Sequence, residues 1–171
     1  VLEAINTLYY HPDNNLTKLC IELSSYMIKL ALNIPYDEAK RKVLEVLQNK
    51  EAYNKLLEFV KYQKGDITKL PRSNYEYQIK SKEEGYLTNL HSLELAKLSS
   101  LLGAGRKTKE DKIDYSAGII INKNINDKVS IGEPILTLYT NKELPQIDKD
   151  KLFVVSSMPN KNVKLIYEVI E

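Results

Sequence analysis

The chain has 171 residues, 43% of them hydrophobic and 28% charged, and its 25 Lys/Arg and 23 Asp/Glu leave a net charge of +2. This balance, without a basic tract interrupted by aromatics, argues against nucleic acid or an anionic membrane surface as a partner. No stretch of the sequence is long and apolar enough to cross a bilayer. The single cysteine excludes an internal disulfide and fits a reducing cytosol, so we predict a cytoplasmic protein.

The first residues, Val-Leu-Glu-Ala-Ile, include neither an initiator Met nor a residue that commonly caps a helix. Such an opening is typical of a helix interior. We therefore expect this sequence to be part of a longer polypeptide.

Residues 1–65 carry the pattern of a helical region. The first helix runs to about Leu8, and the second is expected to begin at Asn15, whose side-chain oxygen would cap it. Asn33-Ile34-Pro35 ends the second helix, and Gly65 is expected to end the last one in a left-handed conformation. The apolar positions of the second helix recur every three or four residues and predict one buried face: Leu16, Leu19, Cys20, Leu23, Met27, Leu30 and Ala31.

The pattern changes at Lys69-Leu70-Pro71-Arg72, where we place a domain boundary that divides the chain into 1–70 and 71–171. Tyr75 to Lys80 alternates with period two, as a half-buried strand does. Ala117 to Ile121 is a β-branched run that predicts a well-buried strand. A helix that Ser92 is expected to cap lies between them, and further strands are predicted at 86–90, 129–131, 135–139, 152–155 and 163–169.

Gly103-Ala104-Gly105-Arg106 has the composition of a phosphate-binding loop. A phosphate loop usually follows a strand and opens a helix, whereas these glycines follow a helix. Thr108 also stands where dinucleotide spacing requires a third glycine. We therefore interpret the segment as a helix stop, with Arg106 expected to pair with Asp111 or Asp114.

The residue types that most often carry catalysis are sparse. His11 and His91 lie at the boundaries of predicted elements, and we interpret both as capping or surface residues. Cys20 lies on the apolar helix face and is interpreted as a small core residue. One cysteine and two histidines also exclude a His/Cys zinc cluster.

The segment GYLTNLHSLELAKLSSLLGAGRKTKEDKIDYSAG, from Gly85 to Gly118, resembles the C-terminal domain of pyrimidine-nucleoside and thymidine phosphorylases. The shared order is Gly-Tyr-(Leu/Val), Leu-Gly-Ala-Gly-Arg, Lys-Glu-Asp, Ile-Asp and a final Gly. Tyr62 to Asp66 and the hairpin from Asp127 to Ile135 also resemble elements of that family. The resemblance implies an α+β chain: a helical end of an α/β domain, then a small α+β domain with a sandwich-like β core of the α/β-hammerhead or barrel-sandwich type.

The resemblance implies a parent enzyme that is a pentosyltransferase, in nucleoside salvage and catabolism. It would use phosphate to split a pyrimidine nucleoside into the free base and (deoxy)ribose 1-phosphate, as a homodimer. The family's phosphate loop, Lys-x-Ser followed by Gly-Gly-x-Gly-Asp, does not occur in this sequence. Neither do the segments of its α/β domain that supply an Arg, a Ser and a Lys to the base, so no catalytic or substrate-binding residue is assigned. The expected role is structural, in domain closure, with the chain inactive alone. Preference for thymidine or uridine stays open.

One metal ligand follows from the same resemblance. Bacterial pyrimidine phosphorylases hold a potassium ion with backbone carbonyls and one Glu of a Val-x-Glu-Ala-Ile motif. Glu3 occupies that place here and is expected to be a potassium ligand in the parent enzyme, which needs no organic cofactor. For this chain alone, a solvent-facing carboxylate is the favoured interpretation.

Two other classes are considered. Val129 to Leu136 also resembles the hairpin of lipoyl and biotinyl carrier domains, which would make the chain a carrier or interaction module. Such carriers present a lysine on a tight hairpin, whereas no lysine follows this segment before Lys142. The anthranilate phosphoribosyltransferase group normally lacks a domain like the one predicted from Tyr75 onward.

Overall fold

The computed structural model describes residues 1–106, 108–161 and 163–170. The backbone forms two compact units, and the second runs from Leu70 to Val163. The first holds the helices that precede Leu70, together with a terminal segment that begins at Lys164. The predicted family domains, 1–70 and 71–171, stay a prediction. In the described ranges, no helix is both long and apolar enough to span a membrane.

The first unit, called here the helical unit, contains four helices. They are α1 (Leu2–Tyr10), α2 (Asn15–Leu32), α3 (Tyr36–Gln48) and α4 (Glu51–Tyr62). Helix α3 packs mainly on α2, and its buried side chains are Ala39, Val43 and Leu47.

The predicted cap of α2 is wrong by one residue. Asn14, rather than Asn15, precedes the helix with an extended backbone, and its Oδ1 accepts a hydrogen bond from the Thr17 N–H at 2.8 Å. Asn15 is the first helical residue instead. Two adjacent asparagines are equivalent by propensity, and only the backbone conformation decides which of them caps. At the other end, Asn33 adopts φ 51° and stops the helix, as predicted.

The predicted left-handed Gly65 is also wrong. Lys64 takes that conformation after α4, with φ 58°, while the Gly65 N–H donates to the Val60 carbonyl at 2.9 Å. A Cβ on Gly65 would lie 3.0 Å from Val60 Cγ1. Gly65 therefore allows a close approach to α4 rather than a positive φ.

The predicted buried face of α2 is wrong as well. Leu23, Met27 and Leu30 are 54%, 69% and 79% exposed, and Cys20 is exposed beside them. The fully buried position is instead Ser25, whose hydroxyl donates to the Ile21 carbonyl. Helix α2 is apolar on more than one side, so spacing alone did not indicate which side packs.

Besides a π turn (Ser100–Ala104) and a 3-10 helix (Lys149–Lys151), the described residues of the second unit, called here the sheet unit, form six strands and one α-helix. They are β1 (Tyr75–Lys80), β2 (Gly85–Leu90), α5 (Ser92–Ser99), β3 (Gly118–Ile121), β4 (Lys128–Val129), β5 (Pro134–Thr140) and β6 (Phe153–Ser156). The strands form two antiparallel three-stranded sheets, ordered β1-β5-β3 and β4-β2-β6. The central strands are thus β5 and β2.

Both sheets and α5 bury side chains in one hydrophobic core. The core holds Ile79, Leu87, Leu95, Leu98, Leu102, Val129, Ile135, Leu136, Leu138 and Leu152. The chain is therefore α+β, as predicted, and in the sheet unit two sheets share a single core.

Three local predictions for the residues that follow Leu70 are wrong. His91, rather than Ser92, is the N-cap of α5, and Ser92 is its first helical residue. Strand β3 lies at a sheet edge, so Ile120 and Ile121 are about half-exposed instead of well buried. The segment 163–169, expected to be a strand, has no regular secondary structure, because no described strand pairs with it.

Candidate functional site

The segment from Gly103 to Arg106, called here the Gly103 turn, is the sequence motif whose composition most resembles a ligand-binding loop. After α5 the chain makes a π turn over Ser100–Ala104, within which Gly103 has φ 121°. Side chains of L residues rarely allow this conformation, so the turn requires glycine. A Cβ on Gly103 would also lie 3.1 Å from Asp114 Cβ. The helix-stop interpretation is confirmed at this position.

Asp114 packs against the turn and organises the polar groups around it. Its backbone N–H donates to the Gly103 carbonyl at 2.9 Å. Its Oδ1 accepts from the Ser116 N–H at 2.9 Å and from the Ser116 hydroxyl at 2.6 Å. Its Oδ2 accepts from Asn141 Nδ2 at 2.9 Å. The Ser116 hydroxyl bond is the main reason that the pKa of Asp114 is lowered, and the Asn141 amide adds to it.

The same network fixes the start of β1 and the end of β5. Asn141 Oδ1 accepts from the Asn74 N–H at 2.7 Å, and the Ser73 hydroxyl donates to the Ser116 carbonyl at 2.6 Å. One polar cluster, called here the Asp114 network, thus joins the Gly103 turn, the entry to β3 and the ends of two neighbouring strands. Its members are Ser73, Asn74, Gly103, Asp114, Ser116 and Asn141.

A buried hydroxyl completes this arrangement from the sheet side. Thr140, which has no exposed surface, donates from Oγ1 to the Leu102 carbonyl at 2.7 Å. That carbonyl belongs to the end of a helix, where intrahelical donors run out. The bond explains how a polar residue is tolerated in the core of the sheet unit.

The electrostatics of the Gly103 turn oppose a phosphate site. The group at its centre is a carboxylate held in its ionised form, which repels a phosphate dianion. Arg106 does not offset this charge, because its side chain is exposed and makes no ion pair among the described residues. The predicted pairing of Arg106 with Asp111 or Asp114 is therefore wrong. The Asp111 carboxylate accepts a hydrogen bond from the Thr108 N–H at 3.0 Å. The turn is a structural joint.

Glu3 lies in the first turn of α1 and is exposed. Hard cations such as Ca²⁺ take six or more oxygen ligands, and one carboxylate supplies at most two. In the described part of the chain, no group of three or more His, Cys, Asp or Glu could hold a metal ion. Glu3 fits the role of a single ligand whose companions come from elsewhere, and the potassium role stays a prediction.

The histidines and the cysteine are not members of the Asp114 network. His11 is the C-cap of α1 with φ 41°, and it borders a cavity of about 260 Å³ in the helical unit. His91 precedes α5, with its Nδ1 3.4 Å from Asn89 Nδ2. Cys20 is exposed on α2, so the prediction that it is a core residue is wrong.

The Gly103 turn was predicted from the sequence, but the Asp114 network around it was not. Asp114-x-Ser116 carries the signal of an Asx turn, in which the carboxylate accepts from the residue two positions later. Asn141 gave no such signal, because its partners Asn74, Asp114 and Ser116 are distant in sequence. The pairing of β5 with both β1 and β3 brings them together.

The β4–β5 turn bears on the carrier interpretation. Its residues are Ser130, Ile131, Gly132 and Glu133, and Ile131 is 71% exposed. This turn offers no lysine for a lipoyl or biotinyl group.

Comparison with known proteins identifies the sheet unit. A family described as "Pyrimidine nucleoside phosphorylase C-terminal domain" matches residues 86–152, which include α5, the Gly103 turn and Asp114. The chain carries a C-terminal domain of the pyrimidine-nucleoside phosphorylase family. The resemblance that the motifs indicated is thus confirmed.

Individual relatives extend the similarity beyond that domain. A pyrimidine-nucleoside phosphorylase of Bacillus subtilis (strain 168) is 41% identical over 150 residues, which cover 84% of this chain and 35% of the relative. One of Staphylococcus aureus (strain USA300) is 40% identical over 148 residues, which cover 82% of this chain and 34% of the relative. The chain therefore spans about a third of the length of these curated relatives.

Proposed function

We propose that this chain forms the C-terminal part of a pyrimidine-nucleoside phosphorylase. This pentosyltransferase converts a pyrimidine nucleoside and phosphate into the free base and (deoxy)ribose 1-phosphate. The observation that carries the proposal is the similarity of 84% of the chain to about a third of a relative named pyrimidine-nucleoside phosphorylase. The role of this part is structural, and the chain alone is inactive.

The polar groups of the sheet unit support a structural role. Phosphorolysis requires donors and cations that hold a phosphate dianion, and further donors for the charge that develops on the departing pyrimidine. The Gly103 turn, which has the composition closest to such a site, is organised around the Asp114 carboxylate. Substrate and phosphate would therefore bind to residues that this chain does not supply.

The exposed side of α2 supports a larger assembly. Leu23, Met27 and Leu30 project from one face with more than half of their surface exposed. Burial of each such side chain is worth about 1.5–3 kcal/mol. A helix that is apolar on opposite sides is typical of one packed between two layers. In the parent enzyme this face would pack against the rest of the α/β domain, and the chain would take part in domain closure.

The remaining expectations belong to the same proposal. The parent enzyme would be a cytoplasmic homodimer, with Glu3 as one ligand of a potassium ion. Base preference would be set by residues outside this chain.

A chimaera tests the proposal. The first two-thirds of the Bacillus subtilis relative would be joined to this chain, and phosphate-dependent release of uracil and thymine would be measured for the chimaera and for the chain alone. We expect release by the chimaera and none by the chain. Base release by the chain alone, or an inactive but folded chimaera, would contradict the proposal.

A matched pair of substitutions tests the role of α2 in that chimaera. Leu23→Lys places a charge on the exposed apolar face and is expected to abolish activity and stability of the assembly. Glu45→Lys changes charge at an exposed position of α3 and is expected to leave both nearly unchanged.

A further inference from the structure

Lys50 occupies a backbone conformation that favours glycine. It precedes α4 with φ 68° and ψ 10°, in the left-handed region. Its side chain makes no local cap, because Asn49 Oδ1 accepts from the Glu51 N–H at the start of α4 instead. Because a non-glycine residue is uncommon in this conformation, we expect a contact of the Lys50 side chain to offset the strain.

Helix α1 ends with unsatisfied acceptors. The last carbonyls of any helix lack an intrahelical donor, and the residue that would donate to the Leu8 carbonyl is Pro12, which has no N–H. The last turn of α1 also contains no basic residue to offset the negative end of the helix dipole. A cation from another element would satisfy both needs.

The Lys50 ammonium supplies such a cation from outside α1, and it bonds the Tyr9 carbonyl rather than that of Leu8. Its Nζ donates to the Tyr9 carbonyl, which lies in the last turn of α1. The same Nζ lies 4.3 Å from the centroid of the Tyr9 ring, a cation–π distance. Tyr9 in turn packs edge-to-face on Tyr53 of α4, with the ring centroids 4.9 Å apart.

We propose that Lys50 is a long-range C-cap of α1, and that it positions the helix that carries Glu3. Glycine would adopt the backbone conformation more easily, but it could not reach the end of α1. Lys50 and the end of α1 both belong to the helical unit. Its significance for a potassium ligand rests on the proposed function.

Amide hydrogen exchange of the whole chain, read by mass spectrometry over residues 2–10, tests the cap. Lys50→Gly removes the ammonium while relieving the left-handed strain, so the variant is expected to fold. Lys50→Met removes the charge and keeps the aliphatic length. Both are expected to speed exchange in α1 about five- to tenfold, with α3 unchanged. Lys50→Arg restores a cation and is expected to keep exchange within about twofold of the original chain.

Lys64→Gly is the matched control, because Lys64 is also left-handed, with φ 58°, and is exposed. We expect this variant to leave α1 exchange unchanged. Unchanged α1 exchange in both Lys50→Gly and Lys50→Met would overturn the proposal, as would equal acceleration in all four helices. This readout is independent of phosphorolysis, so failure of the proposed function would leave it standing.

Discussion

The two units of this chain use their apolar residues differently. In the sheet unit, leucines and isoleucines of both sheets and α5 meet in one core from which water is excluded. In the helical unit, the buried apolar side chains are Ala39, Val43 and Leu47, while larger ones on α2 face outward. The sheet unit therefore has the packing of an independent domain, whereas the helical unit leaves large apolar side chains of α2 uncovered.

The sequence motifs of the two units also differ in what they do in the structure. The motifs of the sheet unit, including the Gly103 turn, join its elements through the Asp114 network. The motif of the helical unit that resembles a metal-ligand segment leaves Glu3 exposed. Strong family motifs can thus mark positions that connect the elements of a fold.

The largest expected effect contrasts a core leucine with an exposed one. Leu136→Ala empties a fully buried position in β5 and is expected to cost about 3 kcal/mol of unfolding free energy. Leu30→Ala, at a 79% exposed position of α2, is expected to cost less than about 0.5 kcal/mol. Urea unfolding followed by circular dichroism measures both. Similar costs would break the distinction between the units.

A glycine pair in the sheet unit gives the next effect. A Cβ on Gly85 would lie 2.4 Å from the Ser156 carbonyl oxygen, so Gly85→Ala must separate β2 from β6 and is expected to cost about 2–3 kcal/mol. Gly118, where an added Cβ meets nothing within 4 Å, is the control and should tolerate Ala with a change below about 1 kcal/mol. Thermal unfolding of the two variants tests the contrast. Equal melting temperatures would show that the β2–β6 contact is looser than described.

The Asp114 network provides a pH-dependent effect. Because the pKa of Asp114 is lowered in the folded state, its contribution is fully present above the ordinary aspartate pKa and is lost as pH falls through the folded-state value. Asp114→Ala leaves donors of the network unpaired and is expected to cost about 2 kcal/mol of unfolding free energy at neutral pH. The variant is also expected to lose less stability than the original chain as the pH falls. Glu110→Ala, exposed in the same loop, is the control. If Asp114→Ala lost stability at acid pH as steeply as the original chain, this role would be contradicted.

The smallest effect tests the corrected helix cap. Asn14→Ala removes the acceptor of the Thr17 N–H and is expected to cost about 1 kcal/mol of unfolding free energy. Asn15→Ala, one residue later and already helical, is expected to change it by a few tenths at most. The reverse order would restore Asn15 as the cap.

The sequence predicted most of the sheet unit and less of the helical unit. Tyr75–Lys80 was predicted with its observed bounds, because alternation along a strand is a local signal. The partners of Asn141 were not predictable, since they depend on the pairing of β5 with β1 and β3. On α2, Leu23 and Met27 carried a correct helical period but a wrong burial, because periodicity does not reveal what covers a face.

The most direct test of the difference between the units is amide hydrogen exchange of the whole chain at neutral pH. We predict that core amides of β5 exchange at least about 100-fold more slowly than those of α2, because opening β5 disrupts the shared core whereas α2 has one side uncovered. Equal protection of α2 and β5, or slower exchange in α2, would contradict the account.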